Sequence, residues 1–364
     1  MPELSRLANG VRIVSDSMPN TGTVALGIWL CNGSRYQRPT ENGYAHFLEH
    51  LLFKATPSCS GAELAQRFEA MGGRINAYTG RELTVFHGFV PSTDWKELLG
   101  HLSDMIRDPR FTANDVRLER DIVLQEMAAV KDAPEEWLEE ATISAIWGPH
   151  PMAWPILGAE RVIEHATEPE LRRYLTDVAC GERVWIAAYG DIEHAALVEA
   201  CRVFETLPAA QAPRMAPPTY TQRDTSLKGH YNQVTMQWSM PLPSITDPAH
   251  YAFLVANHVL GGGTSSRLFQ EIREARGLVY DIHSEIDLYM DCGLWTIHTA
   301  CEPEQSQACR EAVEGTIDRL SFRGPEAHEV QTSKHYIRAN LLLERTNFET
   351  AMERLARDWI YFGA

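Results

Sequence analysis

The sequence predicts an α+β protein of two homologous domains, each a mostly antiparallel sheet with helices packed on one face. Three observations predict it. Short apolar strand patterns and helical periodicities alternate along the 364 residues. The order strand, helix, strand pair, helix over residues 22–107 is repeated in the second half of the chain. Between the two, residues 207–219 (LPAAQAPRMAPPT) are rich in Pro and Ala and have no periodicity, as expected of a linker. The expected division is a first domain over 1–206, a linker over 207–222 and a second domain over 223–364.

Each element has a local reason. Residues 11–31 read as a hairpin: an amphiphilic strand, a turn at Pro19-Asn20, and the apolar strand TVALGIWL. Residues 44–54 follow the breaker Asn42-Gly43 and set Ala45, Leu48 and Leu52 at helical spacing. Ser60 and Glu63 form a capping box for a helix that stops at Gly72-Gly73. Two strands follow over 74–90 with a turn at Thr79-Gly80, and Ser92-Thr93-Asp94 opens a helix carrying Leu98, Leu99, Leu102 and Ile106. Thr112 and Asp115 open a long helix to about Val130; residues 183–191 are a strand, with a helix after it to about Glu205. Beyond the linker, 233–240 is a strand and Asp247-Pro248 starts a helix. Residues 268–275 are helical, 279–300 give two strands, and 304–320 and 325–345 are helices.

Composition excludes several functions. Lys and Arg number 33 against 49 Asp and Glu, a formal charge of −16, so there is no overall basic footprint for nucleic acid or anionic lipid; the acidity leans toward basic partners. No apolar run approaches the ~18 residues of a membrane span. The first residues, MPELSRLANGVRIVSDS, lack the basic and apolar regions of a secretory signal, which points to the cytoplasm. Seven scattered cysteines without a CxxC pair read as reduced thiols, not as a disulfide frame or a thiolate zinc site.

The decisive string is His46-Phe47-Leu48-Glu49-His50. Histidines at i and i+4 share one helix face and can converge on one ion, and imidazole suits Zn²⁺. Glu49 lies beside that face, where a general base can take the proton of a water acidified by the metal. On the helix predicted after Thr112, one face carries Val116, Glu119, Val123, Glu126 and Val130 at steps of three and four. Carboxylates on a buried face need partners. A cation would satisfy them, with Glu126 as third ligand and Glu119 as the acceptor that orients a ligand histidine; pairing with a core Arg or Lys is the alternative.

HFLEH followed by LERDIVLQEM resembles the inverzincin metallopeptidases, the superfamily of pitrilysin, insulin-degrading enzyme and mitochondrial processing peptidase. The resemblance covers nearly the whole chain. It implies His46, His50 and Glu126 as zinc ligands, Glu49 as base and Glu119 as the outer carboxylate. Gly72-Gly-Arg-Ile-Asn-Ala-Tyr-Thr79 is similar to the family's edge strand, which implies that Asn76 and Ala77 pair with the backbone of an extended peptide. Gly261-Gly-Gly-Thr-Ser-Ser-Arg-Leu268 and Ile272-Arg-Glu-Ala-Arg-Gly-Leu-Val-Tyr280 are similar to the second-domain signature and imply Arg273 and Tyr280 as donors to substrate carbonyls. The resemblance further implies a zinc endopeptidase of bacterial single-unit type, working on unfolded or short peptides as a homodimer or as a heterodimer with a homologous subunit. A metal-binding, non-catalytic partner subunit is the alternative function, and the mitochondrial matrix the alternative compartment. Ala55 stands where the family often has Gly, and measured against the family the second domain looks C-terminally truncated.

Overall fold

The computed structural model describes residues 1–211 and 215–363. Two compact units emerge. Unit 1 comprises Met1–Ala128, Trp154–Ala216 and Glu344–Ala364; unit 2 comprises Ala129–Ala153 and Pro217–Leu343. The expected cut at the Pro/Ala-rich segment therefore needs two corrections. Residues 129–153 belong with the second half, and 344–364 with the first. Of the expected linker, 212–214 lie outside the described residues.

Unit 1 is built on β1 (Glu3–Arg6), β2 (Arg12–Ser17), β3 (Thr23–Leu30), β6 (Arg74–Thr79), β7 (Thr84–Pro91) and β8 (Val184–Gly190) in the order β1-β2-β8-β3-β7-β6. The short pair β4 (Ala55–Thr56) and β5 (Cys59–Ser60) lies apart. All neighbours in the large sheet are antiparallel except β2 and β8. The expected hairpin over 11–31 does not form, because β8 inserts between β2 and β3. The reason is its sequence: VWIAAYG is buried along its whole length and takes the middle of the sheet.

The helices of unit 1 are α1 (Tyr44–Leu52), α2 (Gly61–Ala70), α3 (Trp95–Arg107), α4 (Ala113–Asp132, whose last residues fall in unit 2), α6 (Glu160–His165), α7 (Glu168–Val178), α8 (His194–Ala200) and α12 (Phe348–Phe362). The predicted caps at Ser60/Glu63 and Thr112/Asp115 are formed. Strand β3 shows why helices lie on both sheet faces. Val24, Leu26, Ile28 and Leu30 enter the large core with α1 and α3. Ala25 and Trp29 point the other way and pack with Val85, Trp185, Met352, Leu355 and Ala356. Helix α12 thus covers the second face, which corrects the expectation of helices on one face only.

Unit 2 holds α5 (Pro134–Trp147), β9 (Val234–Leu242), α9 (His250–Leu260), β10 (Ile282–Leu288), β11 (Gly293–Cys301), α10 (Ser306–Arg323) and α11 (Ala327–Glu344). Its antiparallel sheet has the order β10-β11-β9. One face packs Leu260, Ile272, Trp295, Ile297 and Val313. Ile143, Ile146 and Trp147 of α5 pack with Cys292 and Leu294. Each unit therefore takes one helix from the other half of the sequence. No described helix is long and apolar enough to cross a membrane.

Candidate metal centre

Helix α1 starts at Gly43, whose φ of 101° is open to glycine and strained for other residues. A Cβ there would also lie 2.6 Å from the Leu157 carbonyl oxygen. Gly43 thereby fixes where the helix begins. Phe47, Leu51 and Leu52 turn into the core, which aims His46 and His50 at α4.

The two imidazoles lie 4.7 Å apart, edge to face. His46 Nε2 is 3.6 Å and His50 Nε2 3.7 Å from the same oxygen, Glu126 Oε2. Those separations are too long for hydrogen bonds. They come close to the ~3.4 Å expected between neighbouring ligands of a tetrahedral ion with bonds of about 2.0–2.1 Å. Among the described residues, these three form the one group of His, Cys, Asp and Glu side chains whose ligand atoms all lie within 4.8 Å of one another.

The protonation states suit a cation. Burial, and secondarily the neighbouring His50, push the His46 imidazolium down to about 4, so the ring is neutral at pH 7 with a lone pair to offer. His50 Nδ1 lies 3.0 Å from Glu119 Oε2, which places the proton on Nδ1 and leaves Nε2 facing Glu126. Glu119 is buried at 4% exposure and is also paired with Lys54 Nζ. Both readings of Glu119 therefore hold together: it orients a histidine and it has a lysine partner. Glu126 is half-exposed, its side chain at 43%, so the expectation of two buried carboxylates holds for Glu119 alone.

Glu49 lies beside the ligand face. Burial raises its proton affinity, and a hydrogen bond from Thr79 Oγ1 to Oε2 at 2.6 Å opposes that rise. Strand β6 is the sheet's edge, paired on one side only with β7. Asn76 is exposed there, and its Oδ1 accepts from the Ala77 N–H at 2.9 Å. Arg273 and Tyr280 sit together in unit 2: Arg273 Nε donates to the Tyr280 carbonyl at 2.7 Å, its guanidinium stacks near both Phe269 and Tyr280, and it also pairs with Glu274. The Tyr280 side chain is 85% exposed. Two residues at the centre escaped sequence reasoning, Lys54 and Thr79. Lys54 stands four residues after His50, a spacing that could have revealed it. Thr79 is brought in by strand register, for which the local sequence holds no signal.

These features define an α+β fold with a group of side chains that could hold a metal ion, and comparison with known proteins gives the family. Residues 12–160 match the family model for insulinase, peptidase family M16, and residues 165–337 match the model for the peptidase M16 inactive domain. The chain belongs to this family. It is similar to an uncharacterized zinc protease of Mycobacterium tuberculosis, at 32% identity over all of this chain and 84% of that protein. It is also similar to the uncharacterized zinc protease YmxG of Bacillus subtilis, at 31% identity over 98% of this chain and 87% of that one. Among solved structures, a Helicobacter pylori protease superposes with a TM-score of 0.91 at 19% identity, covering 99% of this chain and 89% of that one. A peptidase M16 inactive domain from Pseudomonas fluorescens superposes at 0.87 and 20% identity, covering 98% and 91%.

Proposed function

We propose that this protein is a zinc-dependent endopeptidase acting on unfolded or short peptides, with Glu49 as general base. The observation that carries the proposal is the convergence of His46 Nε2 and His50 Nε2 on Glu126 Oε2, with the Glu49 carboxylate beside it. His46, His50 and Glu126 would hold the zinc. Zinc, when bound, supplies a Lewis acid that acidifies water and polarises a carbonyl. Glu119 keeps the His50 ring turned toward Glu126 through Nδ1, and Lys54 pairs with Glu119. An extended peptide adds to the open edge of β6 at Asn76 and Ala77, so that main-chain bonds align it. Glu49 takes a proton from the attacking water as its oxygen bonds to the scissile carbonyl carbon. As the C–N bond breaks, Glu49 passes that proton to the leaving amine. Burial suits Glu49 to both roles by raising its affinity for the proton. Arg273 and Tyr280 serve as donors to substrate carbonyls, supplied in trans within a dimer. The seven free cysteines support a reducing bacterial cytoplasm as the place of action.

The test is Glu49→Gln. The variant should keep about one zinc per chain while peptide cleavage falls by roughly 10²–10⁴-fold, the usual contribution of a positioned base. Near wild-type cleavage would remove Glu49 from the role. Mixing Glu49→Gln with Arg273→Ala, each nearly inactive alone, should restore activity once subunits exchange. Exchange without recovery would discard the dimer part of the proposal.

A further inference from the structure

Thr79 closes β6 two residues beyond Ala77. Along this strand Asn76 and Tyr78 are exposed while Ile75, Ala77 and Thr79 are half-buried, so Thr79 lies on the same side as Ala77. Its hydroxyl reaches Glu49 Oε2 at 2.6 Å, a length typical of a hydroxyl donating to an ionised carboxylate. Among the described residues it is the sole hydrogen-bond partner of that carboxylate. An ionised carboxylate only accepts, so the direction of the bond is fixed. Thr79 is itself held in place. Its register partner on β7 is Thr84, 3% exposed, whose hydroxyl lies 3.4 Å from that of Thr79. A β-branched side chain also has a stiff χ1. With Oε2 occupied, Oε1 is the oxygen left to receive a proton.

Unit 2 supplies an internal contrast. Its β10–β11 hairpin has the same turn length, residues 289–292 against 80–83, and the same kind of register. The positions of Thr79 and Thr84 are held there by Leu288 and Gly293, which pair with each other and carry no hydroxyl. Counted back from the last residue of each helix, the position of Glu49 in α1 is held by Asn257 in α9. The hydroxyl pair is thus present where the carboxylate is present and missing where it is missing.

We infer that Thr79 is a positioning residue: it locks the Glu49 carboxylate and ties the base to the strand on which the peptide is laid. The inference rests on Glu49 acting as the base. Its consequence is that alignment of the peptide and alignment of the base depend on one strand, so a peptide paired in register on β6 meets a base already in place.

The experiment compares Thr79→Val, which keeps the shape and loses the donor, with Thr79→Ser, which keeps the donor, in the full-length zinc-loaded protein. The probe is a mixture of quenched fluorescent peptides. Thr79→Val should lower kcat roughly 10–100-fold, the worth of a hydrogen bond to a charged group, with KM and zinc content unchanged. Thr79→Ser should recover most of the loss. A crystal structure of metal-free Thr79→Val should show the Glu49 carboxylate displaced, a readout that does not depend on turnover. Wild-type kcat in Thr79→Val, a Glu49 rotamer unchanged in that structure, a loss of zinc, or a loss that Thr79→Ser does not recover would each overturn the inference. Those results leave the peptidase reading intact as long as Glu49→Gln is inactive. A fully active Glu49→Gln would sink the base assignment itself, and this inference with it.

Discussion

In unit 1 the helix after the first core strand, α1, carries His46, Glu49 and His50; in unit 2 the helix in that place, α9, carries Leu254, Asn257 and His258 at the same distances from its last leucine. The long helices repeat the relation. Thr112 N–H donates to Asp115 at the start of α4, and Glu326 N–H donates to Glu329 at the start of α11, both at 2.7 Å. Counted from those caps, Glu119 corresponds to Ser333 and Glu126 to Asn340. His50 Nδ1 meets Glu119 Oε2 at 3.0 Å, and His258 Nδ1 meets Ser333 Oγ at 2.9 Å. The scaffold and even one histidine bond are kept while the charges are gone. Asn257 Oδ1 accepts instead from Ser284 Oγ at 2.6 Å and Trp295 Nε1 at 2.8 Å, which makes it a staple of the core. The difference teaches that the fold provides the meeting point of two helices, and that a few carboxylates and one histidine decide whether that point can hold a cation.

The largest effect expected from testing this comparison concerns packing. If the exchanged helices are integral to both units, Met352→Ala on α12 should destabilise unit 1 by about 2–5 kcal/mol, since Met352 is fully buried against its sheet. Denaturant unfolding measures this, and an unchanged midpoint would break the architectural half of the comparison. The next effect separates the two histidine bonds. Glu119→Gln should weaken zinc binding by about 10–100-fold, the usual cost of losing an orienting partner, whereas Ser333→Ala should leave it unchanged. Competition with a chelator reads both; equal affinities in the two variants would mean that Glu119 is no different in kind from Ser333.

The smallest effect is a pH dependence. In unit 2 the Glu329 carboxylate accepts from Arg267 Nε at 2.8 Å and Nη2 at 2.6 Å, and from the Glu326 N–H. The Arg267 bond holds its pKa below the ordinary carboxylate value of 4.5. Protons therefore bind the unfolded chain more readily than the folded one in that range. The stabilisation, about 1 kcal/mol for a partly exposed pair, is complete above pH 4.5 and disappears as pH falls through the lower folded value. Glu329→Gln should remove that part of the acid sensitivity. A melting profile below pH 4.5 that matches wild type would assign the acid sensitivity to other groups.

Much of this was legible because it is local. The HFLEH spacing, the carboxylate face of α4 and the caps at Ser60 and Thr112 depend on residues within a few turns, and the structure brings His46, His50 and Glu126 together as that spacing implies. What was not legible depends on partners far along the chain. The apolar strand β3 reads equally well as half of a hairpin or as a strand flanked by β8, some 160 residues later. Thr79 looks like a turn residue until the register sets it opposite Thr84 and over Glu49. Phe348, Met352, Leu355 and Trp359 mark a buried helix face, yet nothing local says that the sheet they cover belongs to the first half.

That last placement bears on how the molecule is made. Val14, Trp29, Val85 and Trp185 present an apolar sheet face that α12 alone, among the described helices, is seen to cover in the core. On the ribosome, residues 191–347 emerge between β8 and α12, on the order of ten seconds of synthesis at about 5–20 residues per second. If the sheet forms before α12 emerges, Trp29 and Trp185 lie open on it through that interval, a target for a chaperone that binds apolar surface. Unit 1, which carries His46, His50 and Glu126, is covered by a helix that is synthesised after the strands of unit 2.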